Sequence, residues 1–187
     1  MKGLMLFSKG FEESEALITV DLLRRANIQI DLVSLDKELN VYSSHNISIN
    51  CEMKISQVNL KDYDFLVIPG GSAVFNTLIN SFTVKSIVDY FMNQHLLIAA
   101  ICAAPMILGK YKYLKGKDYV CFPGCESDEF EANLVNQNVV LVDNIITAKA
   151  AGVTFEFAYE IIKYLKDEAT AKRVIDSVYY QFTTKNN

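Results

Sequence analysis

The chain lacks the features that announce the commoner kinds of site. Its four cysteines, Cys51, Cys102, Cys121 and Cys125, form no C-x-x-C pair, so neither a zinc centre nor a redox dithiol is signalled. There are only two histidines, His45 and His95, and neither neighbours Cys102 in sequence. No G-x-x-x-x-G-K-[ST] loop is present to cradle phosphates. No stretch approaches the ~20 apolar residues of a membrane span. The opening apolar run is too short for a signal peptide and stops at Ser8-Lys9-Gly10, so no export is expected. Eighteen Lys and Arg against twenty-two Asp and Glu leave a net charge of -4, with the lysines scattered, which argues against a nucleic-acid partner. Repeats, low-complexity tracts and linkers are also missing. The expectation is one domain over residues 1–187, with reduced thiols in the cytoplasm.

A hydrophobic content of 51% and a charged content of 21% are globular values, and the length suffices for a substantial core. Short apolar runs alternate with amphipathic segments, the pattern of a parallel sheet covered by helices on both faces. Strands are expected at 4–7, 28–35, 65–68 and 96–101. Helices are expected at 12–26, 84–92, after Cys102, at 154–165 and at 169–180. Val41-Tyr42 and 47–49 read as a small β excursion about a turn at 43–46. Asp143-Asn144, between 139–142 and 145–147, reads as a two-residue hairpin turn. The first helix suits its dipole, with Glu12, Glu13 and Glu15 at its start and Arg24 and Arg25 at its end.

In open α/β sheets, sites form at the carboxyl ends of central strands. Three such ends carry unusual residues. The loop after the first strand delivers Gly10-Phe11-Glu12-Glu13-Ser14-Glu15, the next central strand ends in Pro69-Gly70-Gly71, and the third runs straight into Ile101-Cys102-Ala103-Ala104-Pro105. A cysteine at a strand-to-helix turn faces free amides that favour thiolate, so Cys102 is expected to be more acidic than the ordinary ~8.5. Glu15 is placed to reach the thiol, and the amides of Gly71 and Ala103 to hold the oxygen of a thiolate adduct. Each residue also has a plainer explanation. Free cysteine is often a small core residue, first-turn glutamates serve the dipole, and Gly-Gly after a strand is often only a turn. Among the histidines, His95 reads as a surface loop residue, while His45 is either a turn residue or part of the site.

Five blocks in order resemble the ThiJ/PfpI superfamily, in the branch of the Parkinson-disease-associated protein deglycase and its bacterial relatives. They are the segments 9–15 and 21–26, Val67-Ile68-Pro69-Gly70-Gly71, 99–105, and 147–158. The resemblance implies a flavodoxin-like three-layer sandwich that forms a homodimer through its first helix. Cys102 takes the place of the reactive cysteine on a strained turn, and Glu15 that of a glutamate that stays protonated and hydrogen-bonds the sulfur. Gly71, following Gly70, and Ala103 match the residues whose amides form the oxyanion site. Arg25 matches an arginine that approaches the partner's pocket across the interface, and His45 falls where relatives often carry an anion-binding arginine. The protease-like branch has a histidine after its cysteine, where Ala103 stands here. Some members carry a second histidine further on, where Phe122 stands, and glutaminases need a histidine near Glu156. Protease and amidotransferase activity are therefore not expected.

Such a thiol could convert a small dicarbonyl such as methylglyoxal to lactate, or act on an early glycation adduct, with no metal, glutathione or nucleotide cofactor. The alternative is an oxidative-stress sensor or redox-regulated chaperone using the same cysteine.

Overall fold

The computed structural model describes residues 1–182. The chain begins β1 (Lys2–Phe7), α1 (Glu13–Arg25), β2 (Gln29–Ser34), β3 (Asn40–Tyr42), β4 (Ser48–Asn50), β5 (Met53–Lys54) and β6 (Phe65–Ile68). It continues α2 (Ser72–Asn76), α3 (Phe82–Asn93), β7 (Leu97–Ile101), α4 (Pro105–Lys110), β8 (Asp118–Tyr119) and β9 (Asn133–Leu134). The hairpin β10 (Val139–Val142) and β11 (Ile145–Ala148) leads into α5 (Thr154–Leu165) and α6 (Glu168–Ser177).

Seven strands form one sheet in the order β10-β11-β7-β6-β1-β2-β5, parallel except for the β10-β11 hairpin. Side chains alternate between the two faces of each strand, so one run of apolar residues feeds two cores. Met5, Phe7, Phe65, Val67, Ala99 and Ile101 pack with α1, α5 and α6. Leu4, Leu6, Leu66, Ile68, Ile98 and Ala100 pack with α3 and α4. This is the flavodoxin-like sandwich that the alternating pattern and the resemblance implied. Each large side chain buried in this way contributes roughly 1.5–3 kcal/mol. Among the described residues, no helix is long and apolar enough to cross a membrane.

The differences from the sequence reading are local. Glu12 is the cap of α1 and lies outside it: its carboxylate accepts from the Glu15 amide at 2.6 Å. The last helix ends at Ser177, short of the expected 180. The strands β5, β8 and β9 have two residues each, and α2 only five. Segments so short have no period for a sequence pattern to reveal. The helix after Cys102 starts only at Pro105, with residues 102–104 forming a turn.

Candidate active site

Three strand ends meet where the sequence placed them. The loop after β1 is fastened to the end of β6 by main-chain bonds: the Glu12 amide donates to the Gly70 carbonyl at 3.0 Å, and the Ala73 amide to the Gly10 carbonyl at 3.0 Å. Phe11 also bridges to both Ser43 and Gly71. This fastening fixes the start of α1 beside β6, so Glu15, in the first turn, points inward and is almost fully buried.

Gly70 makes room for what happens next. A Cβ added there would lie 2.5 Å from Cys102 Cβ, 2.7 Å from Glu15 Oε2 and 3.0 Å from Cys102 Sγ, so the thiol and the carboxyl share the space that a side chain would fill. At Gly71, φ is +95° and an added Cβ would strike the main chain of residues 10 to 12 at 2.3–2.8 Å. Both glycines are required by close approach of backbone or site atoms.

Cys102 has φ of +64°, a left-handed conformation that costs a non-glycine residue of order 1–3 kcal/mol. Its backbone is pinned from two sides, the amide donating to the Ala148 carbonyl at 2.9 Å and the carbonyl accepting from the Phe122 amide at 2.8 Å. The bend turns the thiol out of the sheet into a pocket of about 280 Å³. Gly71, Phe75, Ala103, Phe122 and Cys125 line it together with Cys102. The sequence does not reveal Phe75 and Cys125 as lining residues, because they belong to no periodic element that points at the thiol.

The Glu15 carboxyl accepts from the Gly70 amide at 2.8 Å through Oε2, while Oε1 is buried without a hydrogen-bond partner. Burial pushes the Glu15 pKa up to about 7, with the charge of Glu12 adding to the rise and the Cys102 thiol and Gly70 amide opposing it. A group poised there can hold or release a proton near neutrality. The Cys102 thiol is also raised, first by burial and then by the charge and hydrogen bonding of Glu15, against the amides of Ala103 and Gly71. Burial thus works against the acidic thiol that the sequence leads one to expect, and an ionised Glu15 adds to it. The reason is physical: α4 is six residues long and starts three residues beyond the sulfur, leaving two individual amides in place of a helix dipole to oppose desolvation.

The remaining predicted residues lie elsewhere. His45 is an exposed turn residue whose Nδ1 is 2.8 Å from Glu13 Oε1, and it does not line the Cys102 pocket. Glu13 engages only Nδ1 of the exposed ring, so a site role for His45 is an expectation that this pairing leaves as it was. Arg25 pairs with Asp21 at 2.8 Å, ten residues along α1 from Glu15, or about 15 Å of helix. Within one chain it does not reach the pocket. His95 is exposed at a left-handed turn position, as its surface reading implied. Among the described residues, Glu12, Glu13 and His45 place ligand atoms within 4.8 Å of one another. Glu12 is engaged as the cap of α1 and Glu13 with His45, so the trio is accounted for by local structure.

Comparison with known proteins identifies the family and the fold. The DJ-1/PfpI family model matches residues 1–164. Protein DJ-1alpha of Drosophila melanogaster is 33% identical over 183 residues, covering 96% of this chain and 84% of its own. A deglycase of Pyrococcus horikoshii is 26% identical over 168 residues, covering 89% of this chain and 100% of its own. The solved structure of oxidized DJ-1 of Toxoplasma gondii superposes with a TM-score of 0.90 at 28% identity, covering 97% of this chain and 99% of that one. With the match running from β1 to α5 and the fold reproduced throughout, the chain belongs to the DJ-1/PfpI family.

Proposed function

We propose that the protein is a glutathione-independent cysteine enzyme acting on methylglyoxal-type dicarbonyls or early glycation adducts. The observation that carries this reading is the buried Glu15 carboxyl, with a pKa near 7, packed beside a thiol on a left-handed elbow. The Pyrococcus relative's name, a deglycase, agrees with it.

In this scheme the Cys102 sulfur attacks the aldehyde carbon, forming the C–S bond of a hemithioacetal, and the Gly71 and Ala103 amides face the oxygen that becomes negative. Glu15 takes the thiol proton as the C–S bond forms and gives it to the oxyanion; as carboxylate again it removes the hydrogen from that carbon to give an enediol, and as carboxylic acid it returns that proton to the neighbouring carbon while the first hydroxyl's proton passes to the second oxygen. The product is a lactate thioester, and water cleaves it to lactate and the free thiol. Methylglyoxal and one water become lactate, with no net oxidation. The coupling of the two groups suits the sequence of steps: once Glu15 is protonated, its charge no longer opposes thiolate formation at Cys102.

The test is conversion of methylglyoxal to lactate by purified protein without glutathione. Lactate formation that disappears in Cys102→Ser supports the reading, and no turnover by the wild type contradicts it. The second reading, a redox sensor or chaperone, is favoured by one observation: Cys102 is the partly exposed thiol among four, the other three being buried.

We also propose a homodimer through α1. Leu17 on that helix and Ile47 beside its start are 38% and 47% exposed, apolar surface that a second copy would cover. Sedimentation at micromolar concentration checks this: a dimer is expected, and a monomer would remove Arg25 from any partner's pocket.

A further inference from the structure

The pocket at Cys102 is chemically divided. Its polar groups gather at the sulfur, on which the Gly71 and Ala103 amides and the Glu15 carboxyl all bear. Away from the sulfur the lining is aromatic. Ala73 and Val74 are buried and anchor α2, so Phe75 next to them turns outward and is 52% exposed. Phe122 reaches the pocket from the turn beyond β8 and is 47% exposed. Two half-exposed phenyl rings lining one pocket leave apolar surface for a bound molecule to cover.

The turn that carries Phe122 has no N–H to offer a ligand. The Phe122 amide donates to the Cys102 carbonyl at 2.8 Å, the Cys125 amide to the Phe122 carbonyl at 2.9 Å and the Gly124 amide to Glu126 Oε2 at 2.7 Å, while Pro123 has none. Within this chain no charged side chain lines the pocket. Its volume of about 280 Å³ is close to the roughly 300 Å³ at which pockets begin to enclose drug-sized ligands, so a methyl substituent would leave much of it unfilled.

We propose that Phe75 and Phe122 determine specificity, and that the site takes 2-oxoaldehydes whose ketone carbon bears a planar apolar group, the aryl-substituted dicarbonyls, in preference to methylglyoxal. This rests on the dicarbonyl reading and narrows it to a substrate class. The aldehyde carbon is held at the sulfur with its oxygen facing the two amides, and the group beyond the ketone lies against the rings. There an aryl group removes apolar surface of both partners from water and meets the phenyl rings edge-on or stacked. A carboxylate-bearing group would exchange its hydration for a turn without a donor. The steps at Cys102 and Glu15 are those given for methylglyoxal, so phenylglyoxal and one water become mandelate with no net oxidation. The aromatic contact is made alike in ground and transition states, and it therefore acts through KM more than through kcat.

The experiment measures kcat/KM for phenylglyoxal and for methylglyoxal, as mandelate and lactate formed without glutathione. Comparing the ratio of the two substrates between proteins cancels their intrinsic reactivities. In Phe75→Ala and in Phe122→Ala the ratio is expected to fall by about tenfold, chiefly through a raised KM for phenylglyoxal, on the scale of one lost apolar contact in a binding pocket. Phe122→Leu keeps apolar bulk and should retain most of the preference. Phe82→Ala removes an exposed ring at the start of α3 that does not line the pocket, and it should leave the ratio as in wild type. An unchanged ratio in both pocket variants would overturn the inference while the dicarbonyl reading stands. If neither substrate is turned over, that reading fails, and alkylation of Cys102 by N-phenyliodoacetamide against iodoacetamide decides the selectivity, each rate divided by that of a small free thiol. An aryl preference that drops in Phe122→Ala supports the aromatic selection. No such preference in wild type, or no alkylation at Cys102, overturns it.

Discussion

Glu13 and Glu15 are the same residue type, two positions apart in the first turn of α1, yet the fold gives them opposite characters. Glu13 lies at the rim against an exposed His45, whose side chain is 74% accessible, and its pKa is lowered in spite of some desolvation. Glu15 faces inward, is sealed under Gly70 beside Cys102, and is raised to about 7. At neutral pH one is a charge for a surface pair and the other a proton carrier. The helix dipole acts on both alike, so it cannot be the cause of the difference; burial and neighbours are.

The largest effects should separate the inward pair from everything else. Cys102→Ser is expected to abolish dicarbonyl turnover, since the nucleophile is gone, and lactate production measures it. Next, Glu15→Gln keeps the size and a hydrogen-bond donor but cannot shuttle a proton, so turnover should fall by on the order of 10² to 10⁴ with folding intact. Glu13→Gln and Glu12→Gln should lower it little. Equal losses in all three would erase the distinction between rim and interior.

Stability should show the same contrast with opposite sign. A carboxyl whose folded pKa lies above its unfolded value, as for Glu15, stabilises the fold fully below about pH 4 and loses that contribution as pH rises through about 7. Relative to wild type, Glu15→Gln should therefore become more stable with rising pH, by up to about 3 kcal/mol at pH 8, read by urea unfolding at several pH values. Glu13 is lowered, so its contribution is present above its unfolded pKa and is lost as pH falls. Glu13→Gln should thus lose stability near neutrality. The smallest effect is expected for His45→Ala, which removes one exposed partner and should cost at most about 1 kcal/mol, with turnover unchanged.

Much of this contrast is legible in the sequence. The strand ends at Gly10, Gly71 and Cys102 follow from apolar runs that stop abruptly, and their convergence follows from the parallel sheet. The hairpin at Asp143-Asn144 is equally plain, with Asp143 at φ of +53° as its turn demands. What the residues did not reveal is set by tertiary contact. The direction of the Cys102 pKa depends on how deeply the sulfur sits and where α4 begins, and neither has a periodicity. Phe75 and Cys125 enter the pocket from a five-residue helix and a loop, elements too short to be oriented by pattern. His45 reads from sequence as either a turn residue or part of the site, and its pairing with Glu13 through Nδ1 depends on a tertiary contact that no local pattern shows.

The central claim is that burial keeps a proton on Glu15 near neutrality, beside the sulfur that needs it moved. Carboxyl ¹³C NMR of glutamate-labelled protein, with Glu15→Gln identifying the resonance, tests that claim directly. Glu15 is expected to titrate near pH 7. Titration in the ordinary carboxyl range around 4.5 would contradict it.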